Sequence, residues 1–90
     1  MQEKLLKIIN TYGVLEQLKY FQTEIFEFNE AIIGYELFED YVSHITEEMA
    51  DIMVMLKQFQ CYYSIKDEEI NKIMEYKINR QIDRINKSTK

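Results

Sequence analysis

No proline occurs anywhere in this chain of 90 residues, and glycine stands only at positions 13 and 34. Proline breaks a helix and glycine weakens one, so long stretches here carry nothing that interrupts helical hydrogen bonding. Apolar residues recur at helical spacing. From Val14 they run Leu18, Phe21, Ile25, Phe28, Ile32 and Tyr35; from Val42 they run Ile45, Met49, Ile52, Leu56, Phe59 and Tyr63. Alternating steps of four and three are the period of a helix that buries one stripe. With 47% hydrophobic residues to form a core, the expected fold is all-α.

Four helices are expected within one domain covering residues 1–90. The first covers 2–11 and stops at Gly13. The second runs from Val14 to Gly34 or slightly beyond. The third, capped by Ser43 or Asp40, continues to Tyr63. Ser64–Asp67 then turn the chain, and Asp67 caps a fourth helix with Glu68 and Glu69 in its first turn. That helix presents Ile70, Ile73, Met74, Ile78, Ile82 and Ile85 to the core, giving a four-helix, bundle-like arrangement with helices two and three antiparallel at its centre. Phe26, Ile33, Met53 and Met55 lie off the two main stripes. Too few elements exist to cover them, so oligomerisation to at least a homodimer is expected to complete the core.

Charge narrows the partners. The net charge is −5, but residues 1–71 carry five basic and fourteen acidic side chains, a balance of −9, whereas residues 72–90 balance at +4. An acidic protein without a basic, aromatic-rich patch is a poor binder of nucleic acid polymers. No uncharged run reaches membrane-spanning length and no signal-peptide pattern follows Met1, so a cytoplasmic protein is expected. Cys61, the single cysteine, sits among aromatics as a small buried hydrophobe.

Two acidic pairs stand out by placement. Glu24-x-x-Glu27 and Glu48-x-x-Asp51 occupy equivalent positions on helices two and three, each acid immediately preceding a residue of the apolar stripe. With 16 acidic residues, such spacing arises by chance; the shared offset from both stripes is what carries weight. Residues three apart lie one turn apart on one face, and antiparallel helices set matching flanks against each other. Four carboxylates are therefore expected to converge, where repulsion and lost hydration call for a cation. Magnesium suits such oxygens, with waters retained. The plain rival is a solvated acidic face. Likewise Lys77, Arg80, Arg84 and Lys87 are compatible with an ordinary cationic helix end, and His44, placed just ahead of helix three, with a cap or surface residue.

The segment Gln17–Glu27, followed by Ile45-Thr46-Glu47-Glu48-Met49-Ala50-Asp51-Ile52, resembles the MazG-like nucleotide pyrophosphohydrolases of the all-α NTP pyrophosphatase superfamily. The likeness extends over roughly residues 12–85. The family pattern is an E-x-x-E pair, a spacer and an E-x-x-D pair, with a doubled glutamate before each. Glu47-Glu48 keeps the doubling, whereas Thr23 stands where the first doubled glutamate is common. The resemblance implies a MazG-type fold, with Glu24, Glu27, Glu48 and Asp51 as ligands to magnesium, for which manganese can substitute. It further implies Lys77 and Arg80 as donors to substrate phosphates.

The implied reaction is hydrolysis of a nucleoside triphosphate to the monophosphate and pyrophosphate, a housecleaning chemistry for nucleotide pools. Glu47 and Glu48 are candidates to orient the attacking water. Gln17 and Tyr20, two turns and one turn before Glu24, are candidates to touch the base or sugar. Phosphoribosyl-nucleotides and pyrimidine triphosphates fall within the same implied substrate class. No glycine-rich phosphate loop and no nucleophile constellation is present. The competing expectation is a non-catalytic helical interaction module whose acidic flank is a docking surface.

Overall fold

The computed structural model describes residues 1–39 and 41–88, and among them every regular element is an α-helix. These are α1 (Gln2–Tyr12), α2 (Val14–Phe38), α3 (Val42–Tyr62) and α4 (Asp67–Ser88). Gly13 separates the first two. Its φ of 92° lies where a side chain is strained. Its N–H donates to the Ile9 carbonyl at 2.8 Å and its carbonyl accepts from the Gln17 N–H at 3.0 Å, so one residue closes α1 and opens α2.

Helix α2 runs past Gly34, within the expected range, to Phe38, where Glu39 turns left-handed and returns its N–H to the Gly34 carbonyl; the expected caps of the next two helices differ. A glycine costs an exposed helix only about 1 kcal/mol, too little to end one that is packed on a neighbour. Helix α3 starts from an extended Tyr41 with no side-chain cap, so Ser43 lies inside it; Asp40 falls outside the described residues. At α4 the Lys66 carbonyl accepts the first N–H groups, those of Glu69 and Ile70. Asp67 does not cap this helix, because its carboxylate takes a hydrogen bond from Gln60 instead.

Helices α2 and α3 pack antiparallel. Gln17 meets Gln58, Glu24 meets Asp51 and Glu27 meets Glu48, one number rising as the other falls, and Phe21 packs edge-to-face on Phe59 at 5.8 Å. Helix α1 packs against both through Leu5 and the fully buried Ile9. The buried line on α2 is Gln17, Glu24 and Ala31, and on α3 Met55 and Gln58. Two expectations fail here. The line runs one position ahead of the anticipated stripe, leaving Leu18, Ile25, Met49 and Leu56 exposed. Met55, expected off the stripe, is buried. Each helix carries an apolar arc wider than two neighbours can cover, and α1 covers only the edge nearer the acids.

The fourth helix departs furthest from expectation. It packs on none of the other three helices along its length. Ile73, Met74, Ile78, Ile82 and Ile85 are exposed rather than in the core, and only Ile70 is half-buried. The molecule is accordingly elongated, 52 × 36 × 21 Å. Among the described residues no helix is long and apolar enough to cross a membrane.

Candidate metal centre

Three glutamates come together where α2 and α3 face each other. One carboxylate oxygen from each of Glu24, Glu27 and Glu48 lies within 4.8 Å of the other two. Asp51 adjoins them, its charge acting on both Glu24 and Glu48. The antiparallel pairing produces this grouping: Glu24 is level with Asp51 and Glu27 with Glu48. Glu24 and Glu48 are closer to the core than a flank position would place them, whereas Glu27 and Asp51 are exposed. Glu24 is 3% exposed and the Glu48 side chain 14%.

Burial without sufficient partners defines the chemistry of the group. Glu24 Oε2 and Glu48 Oε2 are both buried with no hydrogen-bond partner. An orphaned carboxylate oxygen is costly, and two that share a cluster of negative charge are more so. Burial lifts the Glu24 carboxyl above its ordinary range; a hydrogen bond from the Tyr20 hydroxyl opposes this, while the charges of Asp51 and Glu27 add to it. Burial also lifts Glu48, helped by Glu27 and Asp51 and opposed by His44. Tyr20 is raised in turn, first by its hydrogen bond to Glu24 and then by that carboxylate's charge. A divalent cation would satisfy the orphaned oxygens and cancel the repulsion, so the donor set fits one. All-carboxylate donors favour a hard ion.

Each of the two most buried acids has a neighbour one turn earlier on its own helix. Tyr20 serves Glu24, and His44, whose Nε2 lies 3.6 Å from Glu48 Oε1, serves Glu48. His44 thus belongs to the first turn of α3 and faces the cluster, not the position ahead of the helix expected for it. The i, i+4 spacing of both pairs was the available signal.

Beside the acids a cleft of about 720 Å³ opens between the end of α1 and the α2–α3 pair. Tyr12, Lys19, Tyr20, Thr23, Asp51 and Gln58 are among its walls. Gln17 also borders it, donating from Nε2 to Gln58 Oε1 at 2.8 Å. Gln17 and Tyr20 therefore stand where a ligand beside the acids would meet them. Gln58 and Lys19 are additional wall residues that the motifs do not mark. Lys77 and Arg80 are not brought to this place within the chain. Both lie on α4, where the Arg80 guanidinium sits 5.7 Å over the Tyr76 ring. Glu47 is exposed on α3 next to Glu48.

No protein-family model matches the chain, and no curated protein or solved structure matches it significantly.

Proposed function

We propose that the chain is a metal-dependent nucleoside triphosphate pyrophosphohydrolase, as its resemblance to MazG-like enzymes implies. The observation that carries the reading is the pair of buried, orphaned oxygens of Glu24 and Glu48 inside a cluster of acids. Structural carboxylates normally find a partner, and a cluster that leaves two oxygens bare is arranged for a cation. Glu24, Glu27, Glu48 and Asp51 would hold magnesium, or manganese in its place. The bound metal supplies charge neutralisation at the phosphates and a lowered pKa for water.

The chain's own residues account for the remaining roles. Glu48, or Glu47 exposed beside it on α3, would orient the water that attacks the α-phosphorus, accepting its proton as the bond to the β-phosphate bridging oxygen breaks. One water is consumed; the monophosphate and pyrophosphate leave. Tyr20 holds Glu24 in place and borders the cleft, which has room for a nucleoside. Gln17 and Gln58 would present amide groups to it, and Lys19 lies on the same wall as a charge-assisted donor. Lys77 and Arg80 act on phosphates only if α4 of another copy brings them near.

Purified protein incubated with a panel of NTPs and dNTPs plus magnesium should release pyrophosphate. Orthophosphate as the primary product, or turnover that persists in Glu48→Gln, would contradict the proposal. A non-catalytic interaction module remains the competing reading, favoured by the exposed apolar surface of α2, α3 and α4. It requires that magnesium leave the melting temperature unchanged.

A further inference from the structure

Three buried side chains on the wall of the cleft are joined in series. Gln17 Nε2 donates to Gln58 Oε1 at 2.8 Å, and Gln58 Nε2 donates in turn to Met55 Sδ at 3.7 Å. Gln17, Gln58 and Met55 are 7%, 2% and 3% exposed, and all three line the cleft. A thioether sulfur has lone pairs and no hydrogen to give, so it can only accept. Gln58 therefore turns its nitrogen to the sulfur and its oxygen to Gln17, and Gln17 must offer nitrogen to that oxygen. Turning both amides over would set the Gln58 oxygen against the sulfur lone pairs. Met55 thus fixes the order of the pair.

Gln17 Oε1 is the free end of this series. Among the described residues no side chain donates to it, and the buried side-chain oxygens without a partner belong to Glu24 and Glu48. Gln17 Oε1 is therefore accessible, on a residue that borders the cleft. Beside it the second N–H of Nε2, the one not given to Gln58, completes an acceptor next to a donor. A carboxamide in that order matches a base edge on which an amino group adjoins a ring nitrogen acceptor, as in adenine and cytosine. Guanine, uracil and thymine carry an oxo group where those bases carry the amino group. Their oxygen would face Gln17 Oε1, and turning the amide over to suit them breaks its bond to Gln58.

Placement agrees with a base at this point. Gln17 stands about two turns, roughly 10 Å of helix, before Glu24, which is close to the span of a nucleotide from its 5′-phosphate to the far edge of its base. Tyr12 and Tyr20, 64% and 54% exposed, stand on the same cleft with rings open to stacking. We infer that the Met55–Gln58–Gln17 series makes the cleft select nucleotides whose base carries an amino group, adenine or cytosine, over those whose base carries an oxo group there. This selection rests on the nucleotide reading of the same site and adds the class of base to it.

Calorimetric titration of the full chain with magnesium and non-hydrolysable α,β-imido analogues of ATP, CTP, GTP, UTP and inosine triphosphate tests this without turnover. The ATP and CTP analogues should bind about tenfold or more tighter than the GTP and UTP analogues. The inosine analogue, which replaces only the amino group of adenine by oxygen, should fall with the weaker set. Met55→Leu keeps the volume and removes the sulfur; it should narrow the gap, chiefly by a gain for the oxo bases. Gln17→Leu, with circular dichroism to confirm helicity, should close it. Equal affinities in wild type, or an inosine analogue that matches that of ATP, overturns the inference and leaves the hydrolase reading standing. A gap that persists unchanged in Gln17→Leu or in Met55→Leu overturns it as well. Binding of none of the analogues overturns both.

Discussion

Glu24 of α2 and Glu48 of α3 bring carboxylate oxygens within 4.8 Å of each other, and each keeps one buried oxygen without a hydrogen-bond partner. Each also has a polar neighbour four residues earlier, Tyr20 and His44 respectively. The two helices thus contribute the same device to one place: a held carboxylate with one oxygen left for a ligand.

Magnesium should therefore stabilise the fold. At a hundredfold excess over its dissociation constant a single bound ion contributes about 2.7 kcal/mol, which raises the melting temperature by many degrees in a chain of this size. Glu24→Gln and Glu48→Gln should abolish most of that rise. Differential scanning calorimetry with and without the metal reads it directly.

Without metal, pH acts in the opposite direction from that in a protein with paired acids. Both carboxyls are raised above their unfolded values, Glu24 and Glu48 alike by burial first. Their neutral forms fit the fold better, so their contribution is fully present below the ordinary carboxylate pKa and is lost as pH rises through the raised values. Metal-free protein should melt higher near about pH 5 than near about pH 8. The Glu24→Gln/Glu48→Gln variant should flatten that slope. Magnesium binds the ionised acids, so the rise it causes should grow with pH. Equal slopes in wild type and the double variant would count against the account.

The bridge between Gln17 and Gln58 is a separate test of the interior. These residues are 7% and 2% exposed. Gln58→Leu strands the Gln17 amide and should cost roughly 1–3 kcal/mol in urea unfolding. Adding Gln17→Leu should restore part of that loss, because removing both partners of a buried hydrogen bond is cheaper than removing one. Additive losses would show that the bridge contributes nothing of its own.

Lys19 and Lys77 separate the two phosphate-binding arrangements. Lys19 borders the cleft, so Lys19→Ala should raise KM roughly tenfold while leaving the magnesium-induced melting shift intact. Lys77→Ala should change KM only where α4 of another copy reaches the cleft. A KM unchanged in Lys19→Ala would remove that residue from the site.

Much of this was legible in the residues. Absence of proline and the three-four apolar spacing specify four helices, and the matched acid pairs specify that α2 and α3 bring carboxylates together. Glu24 lies deeper than its place beside Ile25 suggested, because spacing gives the width of an apolar arc and not which edge a neighbour covers. The same ambiguity left Leu18 and Met49 exposed. For α4 the isoleucine pattern is real, but a pattern states that a face needs burial without stating whether its own chain or another supplies it. The Gln17–Gln58 bridge joins residues far apart in sequence, and nothing local marks it.

The most direct measurement is product analysis by phosphorus NMR during incubation of the protein with a nucleoside triphosphate and magnesium, run beside Glu24→Gln. Pyrophosphate and the monophosphate should accumulate together with wild type, and neither should form without the metal or with the variant. No turnover on any nucleotide, or an equal rate in Glu24→Gln, would contradict the account.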